Sequence, residues 1–141
     1  MIIDKELELS DGQAITADAI SENVIDTGAL PSPKDIGLGE QMYLVVQVDT
    51  TFDNLTTLNI TVESDSTADL ATSATVHYDS GAIALATLVA GYQFIIPLPP
   101  GDYERYLGLR YNVTGTNPAN GAVSAFFTPD PQKNVSYPDA L

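Results

Sequence analysis

The stretch 106-YLGLRYNVTGTNPANGAVSAFFT-128 decides the fold class, because it contains two apolar runs on either side of a polar segment. The segment between them, 114-TGTNPANG-121, holds the Gly, Pro and Asn residues that supply the backbone angles of turns. The stretch therefore predicts a β-hairpin with a long loop. Every second residue of both runs is expected to face a core: Leu107, Leu109, Tyr111, Val123, Ala125 and Phe127.

The same alternation appears earlier in the chain, in 42-MYLVVQVDT-50 and 57-TLNITVESD-65. The second of these runs has one apolar and one polar face, which predicts a strand with one side in solvent. Residues 51–56 are expected to close a hairpin between the two runs, and residues 10–13 to form a turn. About eight short strands with turn signals roughly every ten residues are typical of a β-sandwich or jelly roll.

The chain has 141 residues, a length that fits one domain spanning residues 1–141. Residues 1–40 combine short N-terminal strands with the proline-rich loop 30-LPSPKDIGLGE-40. Residues 129–141 carry three prolines and no periodicity, which predicts an extended C-terminal arm. The predicted class is all-β: a jelly-roll-like antiparallel β-sandwich with extended N- and C-terminal arms.

The charge balance excludes two classes of partner. Five Lys and Arg residues stand against 19 Asp and Glu residues, for a net charge of −14. Such a surface repels nucleic-acid phosphates and anionic membranes, so neither is expected as a partner. The cations do not form a basic cluster in the sequence: Lys5, Lys34, Arg105, Arg110 and Lys133.

The sequence contains no motif that predicts catalysis. There is no cysteine, and the start MIIDKELELSDG lacks the features of a signal peptide, which predicts synthesis and folding in a cytoplasm. His77, the only histidine, is expected on the polar face of a strand. The acidic run 63-ESDSTAD-69 lacks the ligand pattern of a calcium loop. We therefore expect no enzyme activity, catalytic residue, cofactor or metal site.

Four passages together resemble the capsid cement (decoration) proteins of short-tailed phages, of the type described for a Bordetella phage. The passages are 4-DKELELSDGQAIT-16, 22-ENVIDTGA-29, 91-GYQFIIPLPPG-101 and the stretch 106–128. The resemblance implies a jelly-roll subunit on the outer capsid surface of a virion, made in the cytoplasm of a bacterial host. It also implies a symmetric homo-oligomer, with a dimer favoured and a trimer possible, that bridges neighbouring copies of the major capsid protein.

Contact residues are expected at the two chain ends and on the outer face of the strand that begins at residue 106. Apolar residues at the ends have no place in a core strand, and the outer face of that strand carries a tyrosine and an arginine. Deleting residues 129–141 should therefore weaken capsid binding and leave folding intact. The predicted contacts with the capsid or with another copy are Ile2, Ile3, Tyr106, Arg110, Tyr137, Pro138 and Leu141.

Two other functions compete with the cement role. A carbohydrate- or receptor-binding jelly-roll module of a phage tail or fibre would present a row of exposed aromatic residues or a calcium site near a concave face. A small enzyme on a sandwich scaffold would need a nucleophile and a base, which the sequence does not place together.

Overall fold

Ten β-strands form nearly all of the regular structure in the computed structural model, which describes residues 3–31, 34–36 and 39–131. Two 3-10 turns, Lys5–Leu7 and Leu85–Thr87, accompany them, and no helix among the described residues is long and apolar enough to cross a membrane. The strands are β1 (Glu8–Ala14), β2 (Ala19–Ile20), β3 (Ile25–Asp26), β4 (Tyr43–Thr50), β5 (Leu55–Asp65), β6 (Thr75–Asp79), β7 (Ile83–Ala84), β8 (Gln93–Pro97), β9 (Tyr106–Gly115) and β10 (Ala122–Thr128).

The strands form two antiparallel sheets with the nested pairing of a jelly roll. The first sheet has the order β1-β10-β4-β8, and the second has the order β2-β9-β5-β6. β3 continues β2 along β9, and β7 continues β6 along β5. Strands from the start of the chain thus pair with strands from its end, and inner strands pair with inner strands. The predicted all-β, jelly-roll-like class is confirmed.

The inner faces of the two sheets meet in one hydrophobic core. The residues that alternation assigned to the core are all buried: on β4 Leu44, Val46 and Val48; on β5 Leu58, Ile60 and Val62; on β9 Leu107, Leu109 and Tyr111; and on β10 Val123, Ala125 and Phe127. Tyr111 is fully buried, and its hydroxyl lies 2.8 Å from Ser10 Oγ, which satisfies the one polar atom that it brings into the core.

The hairpin predicted for residues 106–128 is wrong. β9 belongs to the second sheet and β10 to the first, so the segment between them crosses from one sheet to the other. The hairpin predicted at residues 51–56 is wrong for the same reason, because β4 and β5 also lie in different sheets. Alternation identifies the apolar face of each strand. It does not show whether two consecutive strands are neighbours in one sheet or lie in opposite sheets with their apolar faces toward each other.

The strand pairing also settles one smaller expectation and shows where β8 ends. Residues 10–13 were expected to form a turn but lie inside β1, where the register against β10 shifts between Ser10 and Gln13. Such bulges absorb extra residues without ending a strand. β8 ends at Pro97, and it lies at the edge of the first sheet, where the missing amide of a proline leaves no partner strand unpaired.

The two crossing segments lie against each other at one end of the sandwich. The Asp53 carboxylate accepts hydrogen bonds from the Ala119 amide (2.7 Å), the Asn120 amide (3.0 Å) and Asn120 Nδ2 (2.7 Å). Beside this contact, the Phe52 ring packs against the backbone of Gly121, whose φ is +145°. A Cβ at residue 121 would lie 2.3 Å from Phe52 Cδ1, so only glycine fits there.

Replacing Gly121 by alanine should therefore destabilise the protein by roughly 2 kcal/mol or more, since the side chain adds backbone strain and a clash. A drop in Tm of about 4 °C or more is expected, measured by thermal denaturation followed by circular dichroism.

Gly101→Ala is the matched control, because an added Cβ there meets no atom within 4 Å. Equal Tm values for the two variants would contradict the close packing of Phe52 on residue 121.

Candidate functional site

Arg110, one of the predicted contact residues, is bound within the protein. It lies on the outer face of the second sheet, where its Nε donates to Glu63 Oε2 at 2.9 Å and its terminal nitrogen donates to the carbonyl of Leu70. Thr61 Oγ1 donates to the other oxygen of Glu63 at 2.7 Å. Arg110 therefore holds the loop of residues 66–73 onto the sheet, and its contact with another protein stays a prediction.

The same loop covers the part of the outer face between Tyr106 and Arg110. Leu70, although it lies on the outer side of the sheet, is only 1% exposed. It meets Val24 over Gly108, where an added Cβ would lie 3.1 Å from Leu70 Cδ1 and 2.9 Å from Val24 Cγ1. The prediction that one face of the 57–65 strand lies in solvent is accordingly wrong for the C-terminal half of the strand, where the loop and Arg110 bury Glu63.

Tyr106 lies at the end of this face, under an ion pair. Arg105 donates from Nε and a terminal nitrogen to the two carboxylate oxygens of Asp26, each at 2.8 Å, and its guanidinium carbon is 4.8 Å from the centre of the Tyr106 ring. The hydrogen bond from Arg105, aided by the Gly28 amide, lowers the pKa of Asp26 to about 2. Tyr106 is half-buried, and its role as a contact stays a prediction.

Three of the five cations lie at this end of the molecule, although they are far apart in the sequence. Lys5 and Lys34 line one groove of about 630 Å³, together with Asp26, the partner of Arg105. We call it the strap groove, after the segment of residues 34–36 that forms part of its lining. Its charged lining residues are two lysines and four carboxylates, and its floor is formed by apolar residues that pack on the core: Leu7, Ile25, Ile36 and Met42.

Two exposed apolar side chains lie close in sequence to residues that line the strap groove. Ile3, a predicted contact residue, is 49% exposed and lies two residues before Lys5. Leu30 is 84% exposed, in a loop closed by a hydrogen bond from the Lys34 amide to the Thr27 carbonyl. The sequence analysis did not predict Leu30 as a contact residue. An isolated leucine in a loop rich in proline and glycine could have indicated an exposed apolar side chain. The remaining predicted contacts lie outside the described residues: Ile2, Tyr137, Pro138 and Leu141.

His77 is half-buried instead of lying on a polar strand face. A bulge in β6 turns it toward the core side, where its Nε2 lies 2.7 Å from Ser64 Oγ and its ring centre is 4.0 Å from that of Tyr103. Burial lowers the pKa of the His77 imidazole below its ordinary value. Ser64 is fully buried, and its hydroxyl oxygen also accepts a hydrogen bond from the Glu104 amide.

The carboxylates of the acidic run 63–69 bind backbone and side-chain groups of the protein itself. Asp65 accepts hydrogen bonds from the amides of Thr67, Thr72 and Ser73, and Glu63 binds Arg110. Within the described ranges, no group of three histidine or carboxylate side chains is placed to hold a metal ion. The function of these acids is therefore to order the loop that covers the second sheet.

A protein-family model described as Bbp16 matches residues 9–127. The match extends from the second residue of β1 to the last but one of β10, so it includes both sheets and every connection between them. No curated protein matches the chain.

Removing Arg110 alone should leave the carboxylate of Glu63 buried without its cation, because the Glu63 side chain is only 6% exposed. Arg110→Met is expected to cost roughly 2–4 kcal/mol of unfolding free energy, measured by urea denaturation.

The double variant Glu63→Gln, Arg110→Met should recover most of this loss, since it removes both charges. A double variant as unstable as the single one would contradict the pairing as the cause.

The Arg105–Asp26 ion pair predicts a pH effect with a defined sign. Because the folded-state pKa of Asp26, about 2, lies below its ordinary value of 3.8, the stability from the ion pair is present above about pH 4 and is lost as the pH falls toward 2. In Arg105→Gln the pKa of Asp26 should rise toward about 3.9, measured by NMR titration of the carboxyl carbon.

Asp53 is the internal control in the same spectra, because hydrogen bonds from Asn120 and Ala119 lower its pKa without any arginine. An Asp26 titration that is identical in the variant and the wild type would rule out Arg105 as the cause.

Proposed function

The chain belongs to the Bbp16 family, whose name denotes a Bordetella phage protein, and we propose that it is a virion structural protein that decorates the outer capsid surface. In this role it cements neighbouring major capsid subunits and stabilises the head. The observation that carries the proposal is the family match over the whole double sheet, residues 9–127, combined with the resemblance of the same strands to capsid cement proteins.

The charge of the chain fits a position outside the capsid. A net charge of −14 disfavours contact with the packaged genome and favours a surface that faces solvent. Synthesis in the cytoplasm of a bacterial host and assembly onto completed heads belong to the same proposal. A decorating protein that binds only the assembled shell stabilises that shell by mass action, and many symmetric copies add their effects.

The strap groove is the surface that best fits a contact with the major capsid protein. It is concave, its floor is apolar, and two exposed apolar residues, Ile3 and Leu30, are close in sequence to residues of its lining. A buried apolar centre with a polar rim is the usual anatomy of a protein interface. The mixed charges of Lys5, Lys34 and Asp26 on the rim would set the orientation of an apolar segment from a neighbouring subunit.

A carbohydrate-binding function is less well supported by the aromatic residues. Every tyrosine and phenylalanine in the described part of the chain is buried or half-buried, so none stands out as a stacking platform for a sugar. The concave surface at the strap groove is lined by aliphatic and charged side chains. A protein–protein contact therefore fits this surface better than a glycan does.

Purified protein should co-sediment with decoration-free phage heads in a saturable manner and raise the temperature at which the heads open. Ile3→Glu combined with Leu30→Glu should weaken this binding at least about tenfold, because each glutamate would have to be desolvated at the contact. The Tm of the free protein should not change, since both positions are exposed.

Val76→Glu is the matched control, because Val76 is 52% exposed but lies on β6, away from the strap groove. Wild-type binding by the Ile3→Glu, Leu30→Glu variant would assign the contact to another surface.

Two further variants test the other predicted contacts. Deleting residues 129–141 tests the C-terminal arm, and the variant Glu63→Gln, Arg110→Met tests Arg110 without leaving a buried charge unpaired. Absence of any saturable binding to heads would refute the cement function.

A further inference from the structure

Asn120 and Gly121 form the one Asn-Gly pair in the sequence, at the end of the sandwich where the two crossing segments meet. Asn120 is exposed, and its side-chain amide donates one hydrogen bond, from Nδ2 to Asp53 Oδ2 at 2.7 Å. An exposed hydrogen bond exchanges readily with water, so this side chain can turn toward the backbone nitrogen of residue 121. Because the Phe52 ring leaves room only for glycine at residue 121, no side chain shields that nitrogen.

The backbone nitrogen after an asparagine can attack the side-chain amide carbon when that nitrogen is free. At three other asparagines the following amide is engaged: Leu55 donates to the Asp53 carbonyl (2.7 Å), Ile60 to Ser80 Oγ (2.9 Å) and Val113 to Asp18 Oδ1 (2.7 Å). Asn117 precedes Pro118, which has no amide hydrogen. Asn23 precedes Val24, whose branched side chain hinders attack by its own nitrogen. Among the described residues, the Gly121 amide donates no hydrogen bond.

An aspartate before a glycine can react in the same way, and the chain has one such pair. Asp11 precedes Gly12, whose amide donates to Ser124 Oγ at 2.9 Å. This nitrogen must give up a hydrogen bond before it can react, which raises the barrier. Of the two glycine nitrogens that follow an Asp or Asn side chain, only that of Gly121 is without an acceptor in the part of the chain that the structure describes.

The backbone around residue 120 also favours loss of the Gly121 amide proton. When this proton leaves, the negative charge spreads onto the Asn120 carbonyl oxygen, which accepts a hydrogen bond from the Asp53 amide at 3.3 Å. A donor placed where charge develops lowers the energy of the charged state. The Gly121 carbonyl accepts from the Ile15 amide at 3.0 Å, which holds the next peptide group in place. The nucleophilic nitrogen is thus fixed on both sides while the side chain beside it can turn.

We propose that Asn120 is a site of spontaneous deamidation that opens the contact between the two crossing segments. The Gly121 nitrogen forms a bond to Asn120 Cγ, and the bond between Cγ and Nδ2 breaks. The side-chain nitrogen leaves as ammonia and carries away the proton that the Gly121 amide loses. Water then opens the cyclic imide at either of its carbonyl groups, which leaves aspartate or isoaspartate at residue 120. The reaction consumes only water, and no group is oxidised or reduced.

Either product removes an interaction that holds the crossing segments together. The donor on Nδ2 is replaced by a carboxylate oxygen, which faces the Asp53 carboxylate and repels it. In isoaspartate the main chain runs through the side-chain carbon, which lengthens it between residues 120 and 121 and disturbs the packing of Phe52 on Gly121. Each event adds one negative charge to a chain whose net charge is −14. The inference concerns the free protein and does not rest on the proposed function.

The test follows the mass of one peptide while the purified protein stands at mildly alkaline pH and physiological temperature. Trypsin cleaves after Arg110 and Lys133, so Asn112, Asn117 and Asn120 lie in the same peptide, and its fragmentation compares them directly. Residue 120 should gain about 1 Da. It should do so at least about tenfold faster than residues 112 and 117. Isoaspartate, detected by enzymatic methylation, should form at residue 120 before it forms at residue 11.

A synthetic peptide of residues 111–133 gives the rate of the same reaction without the fold. Asn117 is the internal control in the protein, because it is exposed like Asn120 but precedes a proline. If the peptide converts at residue 120 while the folded protein does not, the fold protects the site and the proposal is overturned. Conversion of another asparagine as fast as Asn120 would overturn it as well.

The effect on the crossing contact is tested with a variant that reproduces one product. Asn120→Asp should lower the Tm by about 2 °C or more, because it places a carboxylate against Asp53. Asn117→Asp, the matched control, adds the same charge to the same segment and should leave the Tm unchanged. Equal Tm values for the two variants would exclude the loosening. If Asn120→Asp does not fold, aged wild-type protein decides: the fraction that melts early must equal the deamidated fraction, and a mismatch contradicts the proposal.

Discussion

The burial of two apolar sheet faces against each other places several pairs of consecutive strands in opposite sheets. β4 and β5 are separated in this way, and so are β9 and β10. Every connection of this kind must cross the end of the sandwich, and two of them meet where Asp53 binds the backbone at Ala119 and Asn120. The glycine at position 121 and the nested strand order follow from the same requirement, because the crossing segments must pass close to the core without entering it.

The sequence predicts the faces of the strands but not their neighbours. Alternation is a property of a single strand, and it correctly placed residues such as Leu58, Leu109 and Phe127 in the core. Pairing depends on which strands from distant parts of the chain come together, and a turn-rich segment such as 114–121 looks the same in a hairpin and in a crossing. Bulges escape prediction for a related reason, since the partner strand determines where His77 leaves the regular alternation.

In the candidate surfaces, too, the features that depend on neighbouring residues were predictable, and those that depend on residues far apart in the chain were not. Ile3 is exposed because it lies before the first strand, and the sequence therefore sufficed to predict it as a contact residue. The strap groove combines the segments 5–8, 23–27 and 34–36 with Met42, and no local pattern joins them. Arg110 was expected to face outward, which it does, but its binding to Glu63 and to the loop at Leu70 depends on contacts across the sheet.

The pairing of β1 with β10 has a consequence for how the protein is made. On the ribosome, β1 emerges long before β10, which is its one sheet neighbour among the residues that the structure describes. β4 gains its β8 neighbour earlier, and β5 gains β6, so the middle of the chain can begin to order first. Leu9 and Ile15, which are buried in the folded protein, cannot gain their β10 neighbours before β10 is synthesised, and apolar segments that wait in this way are targets for chaperones and for aggregation. High contact order of this kind also slows folding after release, so the supply of assembled subunits would depend on folding time as well as on synthesis.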